Sequence, residues 1–210
     1  MVGYNRRFAP LTEKLQQFFA GRQESMVVHI RVNAGYLPHQ HWALQNASGG
    51  GRIIGEPCHF VDWARCIVGT RVVSVRANVL PHGARYNQDN VVAMLAFQDG
   101  SIANVVYLAN GDRSIPKEQF EVFCAGKVGR IEDSCMLELA HDGKTKRTKA
   151  SREKGHAREI ELTLEAIRRG GCSPIPFEEL GEVSEVTIAI EEAIGTGKSV
   201  SLPFAHIPAV

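Results

Sequence analysis

The sequence predicts an α+β fold: a largely antiparallel, open sheet with helices on one face. Three observations carry this. Helical and strand-like patterns occur in the order helix, strand, helix, a run of strands, then two helices. Asp99-Gly100 and Asp142-Gly143 each sit between strand-like runs and mark hairpins. No G-x-G-x-x-G follows a strand and opens a helix, so the chain does not encode a dinucleotide-binding element.

Each element has a local cause. Pro10 suits the first turn of a helix, where a missing N–H is harmless. Leu11, Leu15, Phe18 and Phe19 then recur at helical spacing, and Gly21 ends the run. Over residues 26–33, Val28, Ile30 and Val32 alternate with His29, Arg31 and Asn33, as in a half-buried strand. A polar, aromatic loop leads to Ser48. Residues 58–68 are helical, and Gly69 stops them. Residues 71–80 form a valine-rich strand; residues 90–97 and 101–108 form the first hairpin. Residues 119–125 and 135–140 read as further strands joined by a glycine-containing turn, and a basic strand follows Asp142-Gly143. Ala157, Ile160, Leu164 and Ile167 make one helical stripe, ended by Gly170-Gly171. Leu180, Val183, Thr187, Ile190 and Ile194 make another, ended by Gly195, and residues 200–202 form a last short strand.

Composition narrows the function. The 210 residues carry 24 basic and 23 acidic side chains, a net charge of +1, which gives no reason to expect a nucleic-acid partner. The basic run from Lys144 to Lys149 reads as a solvated hairpin strand. No apolar run reaches the roughly 20 residues that span a bilayer, so no membrane partner is expected. Five cysteines without a CxxC pair suit reduced thiols in a cytoplasm. Strands this apolar need cover on the face opposite the helices, and a second copy of the chain is the natural cover, so a homo-oligomer is expected. Met1-Val2-Gly3-Tyr4 reads like the end of a buried strand without a turn or cap, which suggests a start inside a larger protein.

The stretch from Gly49 to Asp62, GGGRIIGEPCHFVD, concentrates the chemistry. Its glycines do not make a dinucleotide fingerprint. The segment from Ile194 to Ser199 lacks the first glycine of a phosphate loop and reads as a helix-to-strand turn. His59 and Asp62 share a helical face, with Glu56 just before it. Spacing alone leaves three readings open: a cap with a hydrogen-bonded histidine, an acid–base or substrate contact, and a metal site. His39 and His41 read as solvated loop residues.

At these residues the sequence resembles the C-terminal half of the glucose-fructose oxidoreductase / inositol dehydrogenase / MocA family. Gly3-Tyr4-Asn5-Arg6-Arg7-Phe8 is similar to its G-[FY]-N-R-R-F segment, and GGGRIIGEPCHFVD to its GGGxxxDxGxHxxD segment. The Asp89-to-Ser101 stretch and Lys154-Gly155-His156 before a helix also resemble it. The run from Arg31 through His41-Trp42 to Glu56 is similar to a branch fused behind zinc-alcohol-dehydrogenase-like domains.

The resemblance implies a glyceraldehyde-3-phosphate dehydrogenase-like C-terminal domain without its Rossmann half. Residues 1–22 would be the tail of the nucleotide-binding domain and a linking helix, and residues 23–210 the substrate and oligomerisation domain. It implies hydride transfer between a nicotinamide and a hydroxyl carbon of a sugar or cyclitol. His59 would exchange the hydroxyl proton. The family's aspartate falls on Gly55, and Glu56, one position later, is the acid present. Arg31 and Asn33 match strand-end substrate residues, Arg6 and Arg7 would border the cleft, and Lys154 and His156 would contact substrate. Asp62 matches a carboxylate with a structural role. NAD or NADP would belong to the full-length protein, with neither cofactor nor metal expected on this chain alone. The ligand would be a small sugar-like molecule. Two other readings stand beside this: a free-standing, non-catalytic binding or assembly module of the same fold, and a metal hydrolase built on Glu56, His59 and Asp62.

Overall fold

The computed structural model describes residues 1–44, 51–81, 83, 85–86 and 88–202. One sheet of nine strands organises them, in the order β8-β7-β6-β5-β1-β4-β3-β2-β9. The strands are β1 Val27–Asn33, β2 Val72–Val79, β3 Val91–Phe97, β4 Ile102–Leu108, β5 Glu118–Cys124, β6 Lys127–Glu132, β7 Met136–His141, β8 Lys144–Lys149 and β9 Val200–Ser201. Every neighbouring pair is antiparallel except β1 and β4, which run parallel in the centre. The α+β expectation holds.

The helices are α1 Pro10–Phe19, α2 Cys58–Val68, α3 His156–Arg169 and α4 Phe177–Thr196, with a 3-10 turn at Asn5–Phe8 and one helical turn at Arg52–Gly55. Alternation in the strands dictates what they cover. Val28, Ile30 and Val32 of β1, Val105 of β4 and Phe120 and Val122 of β5 are buried, together with Leu15 of α1, Trp63 of α2 and Val186 of α4. Tyr4, Phe8, Leu11 and Phe19 join the same core.

Three details differ from the sequence reading. The glycine-containing connection after β5 holds a whole strand, β6, between two tight turns. Its Gly129 replaces a side chain because α1 lies directly on it; a Cβ there would run into Leu15. Helix α4 continues through Gly195 and ends where Gly197 takes a left-handed conformation, φ 66°. The stripe on α3 is not a core face: Ile160, Leu164 and Ile167 are exposed, and α3 packs on the Asn5–Phe8 turn instead of the sheet.

The second sheet face is also open. Val27, Val92, Met94, Ile102 and Phe123 are 41–48% exposed there. Val27 pairs with Ile102 on one side and Phe123 on the other, so these side chains form a continuous apolar row.

Candidate functional site

A cavity of about 320 Å³ opens where the Asn5–Phe8 turn, the start of α2, the loop before β5 and the residues leading into α3 meet. Glu56, His59 and Phe60 line one side, Gly3, Asn5 and Arg6 another, and Lys117, Lys154 and His156 the rest. The volume is in the range of small-molecule sites. Two contacts assemble it, one of which depends on a glycine. Asn5 donates its side-chain N–H to the Lys154 carbonyl at 2.7 Å. Gly155, at φ 90°, lets that backbone lie against the Asn5–Ala9 backbone, where a Cβ would strike the Asn5 carbonyl oxygen. The Asn-Arg-Arg-Phe and Lys-Gly-His segments therefore interlock.

His59 sits on the first turn of α2, edge-on to Tyr4 with ring centroids 5.7 Å apart. Burial and then the Arg6 charge push its imidazole down to about 4, against the opposing pull of Glu56 and Glu118. The ring is neutral at pH 7 and can accept a proton. Its Nδ1 is buried with no hydrogen-bond partner among the described residues.

Glu56 reaches the cavity and is held from behind. The Tyr107 hydroxyl donates to its carboxylate at 2.6 Å, and Arg52 Nε donates to the same hydroxyl at 2.7 Å. Arg52 in turn donates to the Gly35 carbonyl at 3.0 Å and pairs with Asp89 at 3.3 Å. Gly55, where the family aspartate would fall, is exposed at the end of its helical turn.

Under the cavity lies Glu118, with a fully buried side chain. Arg6 and Lys154 each reach its Oε1 at 2.8 Å. Burial raises this carboxyl, but the hydrogen bonds and charges of Arg6 and Lys154 outweigh it and hold the group down to about 2. The Arg6 guanidinium also lies 4.6 Å from the Phe60 ring centre. Two cations share one buried anion, so the cavity floor is electropositive.

Of the residues the sequence singled out, Arg6, Glu56, His59, Lys154 and His156 converge here. Arg7 does not line the cavity; it is buried on Asp62 and Glu179. Asp62 is fully buried in that pair, in keeping with a structural carboxylate. Arg31 and Asn33 hold the loop before β5. Arg31 donates to the Pro116 carbonyl at 2.9 Å, and Asn33 donates to the Asp112 carbonyl at 2.6 Å. Gly49 and Gly50 lie outside the described residues. Among the described residues no three His, Cys, Asp or Glu side chains converge to hold a metal ion, and Asp62 turns away to Arg7.

Sequence reading missed Tyr107, Glu118 and Lys117. The first two carried a signal. Tyr107 shares the inward face of β4 with Ala103 and Val105, and Glu118 shares that of β5 with Phe120 and Val122. A polar tip or charge on a core face needs a partner. Lys117 sits in a loop and carried none.

The arrangement offers a neutral imidazole, a carboxylate and fixed positive charge around a space for one small ligand. That set can take a proton from a hydroxyl and steady the oxygen left behind.

A protein-family model described as the GFO/IDH/MocA C-terminal domain matches residues 15–132. Solved structures share the fold. An oxidoreductase domain protein from Kribbella flavida superposes with a TM-score of 0.82 at 16% identity, over 97% of this chain and 65% of that one. Levoglucosan dehydrogenase in complex with NADH and levoglucosan gives 0.79 at 19%, over 97% and 66%. UDP-N-acetylglucosamine 3-dehydrogenase GnnA from Acidithiobacillus ferrooxidans gives 0.76 at 18%, over 92% and 61%. This chain thus spans about two thirds of the length of these structures. No protein of curated function matches the sequence.

Proposed function

The chain belongs to the GFO/IDH/MocA C-terminal domain family, and from that premise we infer that it is the substrate-binding and self-associating domain of an NAD(P)-dependent oxidoreductase. The substrate is a sugar, a cyclitol or a related hydroxyl compound. The nicotinamide is held by a separate Rossmann domain, without which the hydride acceptor is not positioned and turnover does not occur. Residues 1–22 connect the two domains in this reading, and the exposed α3 stripe, which begins at the cavity, is the face the Rossmann domain covers. Five unpaired cysteines suit a cytoplasmic setting.

The observation that carries this reading is the convergence of a neutral His59, Glu56, Arg6 and Lys154 on one cavity of suitable size. His59 accepts the hydroxyl proton while Arg6 and Lys154 steady the oxygen. When bound, the nicotinamide would take the hydride from the same carbon. Glu56 being presented to the cavity by Tyr107 favours a chemical role over the non-catalytic binding module, in spite of Gly55.

The test uses isotope-labelled protein and a panel of sugars and cyclitols, neutral and charged. The expected result is saturable shifts of the His59 ring signals with some member of the panel, and no specific NADH binding. His59 signals unmoved by every sugar and cyclitol, neutral or charged, would overturn the substrate assignment. Micromolar NADH affinity with turnover would overturn the need for a second domain.

A further inference from the structure

A second cavity, of about 360 Å³, adjoins the first. Lys117 lines both. So does the segment before α3: Lys154 faces the His59 cavity, and Arg152, two residues earlier, faces the second one. Arg113 supplies a third cation. Asp133 is the one carboxylate among the described lining residues, and it already accepts from Arg152 at 3.1 Å and from the Glu118 backbone N–H at 2.8 Å. Positive charge is therefore in excess along this wall, on a chain whose overall net charge is only +1.

The loop that carries Arg113 and Lys117 is fixed in advance. Asn90 Oδ1 accepts from the Ala109 and Asn110 N–H groups at 2.9 and 3.0 Å. Asn33 holds the middle through the Asp112 carbonyl, and its own N–H donates to the Lys117 carbonyl at 2.7 Å. Gly111 packs flush on the Asn33 side chain, where a Cβ would collide. A loop tied at both ends and its middle avoids the cost of ordering its backbone on binding.

We propose that this second cavity is an anion subsite. It binds the phosphate or carboxylate group of a ligand whose sugar ring lies in the His59 cavity. The inference deepens the sugar-oxidoreductase reading and rests on it for the ring's position. Guanidinium pairs suit planar or tetrahedral oxyanions through charge-assisted hydrogen bonds, and Lys117, shared by both cavities, lies between ring and anion. The chemistry points to a sugar phosphate or a sugar acid in place of a neutral polyol.

The experiment follows the arginine side-chain N–H signals, assigned with Arg113→Gln and Arg152→Gln. The probes are inorganic phosphate, glucose, glucose 1-phosphate and glucuronate. Phosphate alone should shift both arginine signals saturably. At least one of the two charged sugars should bind about tenfold more tightly than glucose, and the double variant should lose that gain. Gain with glucose 1-phosphate assigns a phosphate, and gain with glucuronate a carboxylate; either supports the subsite. Arginine signals unmoved by phosphate, or no gain for either charged sugar, overturns it. The oxidoreductase reading fails by a different signal, His59 indifferent to every sugar, so the two failures are distinguishable.

Discussion

The Tyr107 hydroxyl joins Glu56 to Arg52, donating to the first at 2.6 Å and accepting from the second at 2.7 Å. Burial, and then the Glu56 charge, raise the phenol well above its usual range, so it stays protonated and remains a donor. Tyr107→Phe leaves both partners short of a hydrogen bond in a largely enclosed place. The expected cost is about 1–3 kcal/mol in urea denaturation. Tyr107→Phe and Glu56→Ala should be non-additive by about 1 kcal/mol, because each breaks the same contact. Additive losses would show that Glu56 is not held this way.

His59 should titrate far below an ordinary histidine. Its ring signals are expected to move with a midpoint near pH 4, because burial and Arg6 oppose the charged form. Between the unfolded value, about 6.5, and this one, the unfolded chain binds the extra proton. Stability is then present above pH 6.5 and falls as pH is lowered toward 4, by at most about 1.4 kcal/mol per pH unit. His59→Gln should flatten that slope. A midpoint above 6 would remove the case for a neutral, desolvated base.

Glu118 acts in a lower window. Its carboxyl is held near 2 in the folded state, so its stabilisation is complete above its unfolded value of about 4.5 and is lost as pH falls through 2. Glu118→Gln leaves Arg6 and Lys154 without their buried counter-charge. The expected loss at pH 7 is about 3 kcal/mol, the size seen when one partner of a buried pair is removed. Acid unfolding of the variant should lose the component between pH 4.5 and 2. A variant as stable as the parent at pH 7 would mean that the two cations are satisfied by solvent.

Much of this was legible in the sequence, and the misses have physical causes. Gly21, Gly69 and the two Asp-Gly pairs end elements where the sequence places them, since left-handed or tight-turn backbone favours glycine. Strand β6 was hidden because Lys127-Val128-Gly129-Arg130 breaks apolar alternation; its glycine is there to admit α1. The α3 stripe has the period of a core helix but no partner among the described residues, since periodicity says which face is apolar and not what covers it. His59, Glu56, Arg6 and Lys154 could be named in advance around one cleft only through the family resemblance; spacing does not reveal that the Lys154 segment reaches the Asn5–Ala9 backbone through Gly155.

That fit gives a prediction of its own. Gly155→Ala adds a Cβ at φ 90° against backbone atoms that cannot rotate aside. Left-handed backbone alone costs about 1–2 kcal/mol for a residue with a Cβ, and the collision adds to it. A loss of about 3 kcal/mol or more is expected. The His59 ring signals should shift in the same variant, because the Lys154 segment must move. A variant within 1 kcal/mol of the parent would show that the two segments are not interlocked.

Self-association is predicted from the row Phe123–Val27–Ile102 and from Val92 and Met94 beside it. An exposed apolar row in the centre of a sheet is costly in water, whereas an identical face supplies matching apolar surface by two-fold symmetry. Met94→Asp and Phe123→Asp should each leave folding stability within about 1 kcal/mol, because the side chains are already half in water. Each should weaken association at least about tenfold, since pairing now buries a charge. Light scattering and sedimentation at micromolar concentration would read both effects. A parent protein that stays monomeric there would refute the second copy as the cover. Association unchanged by either aspartate would place the contact elsewhere, with the exposed Ile160–Leu164–Ile167 stripe of α3 as the surface to mutate next.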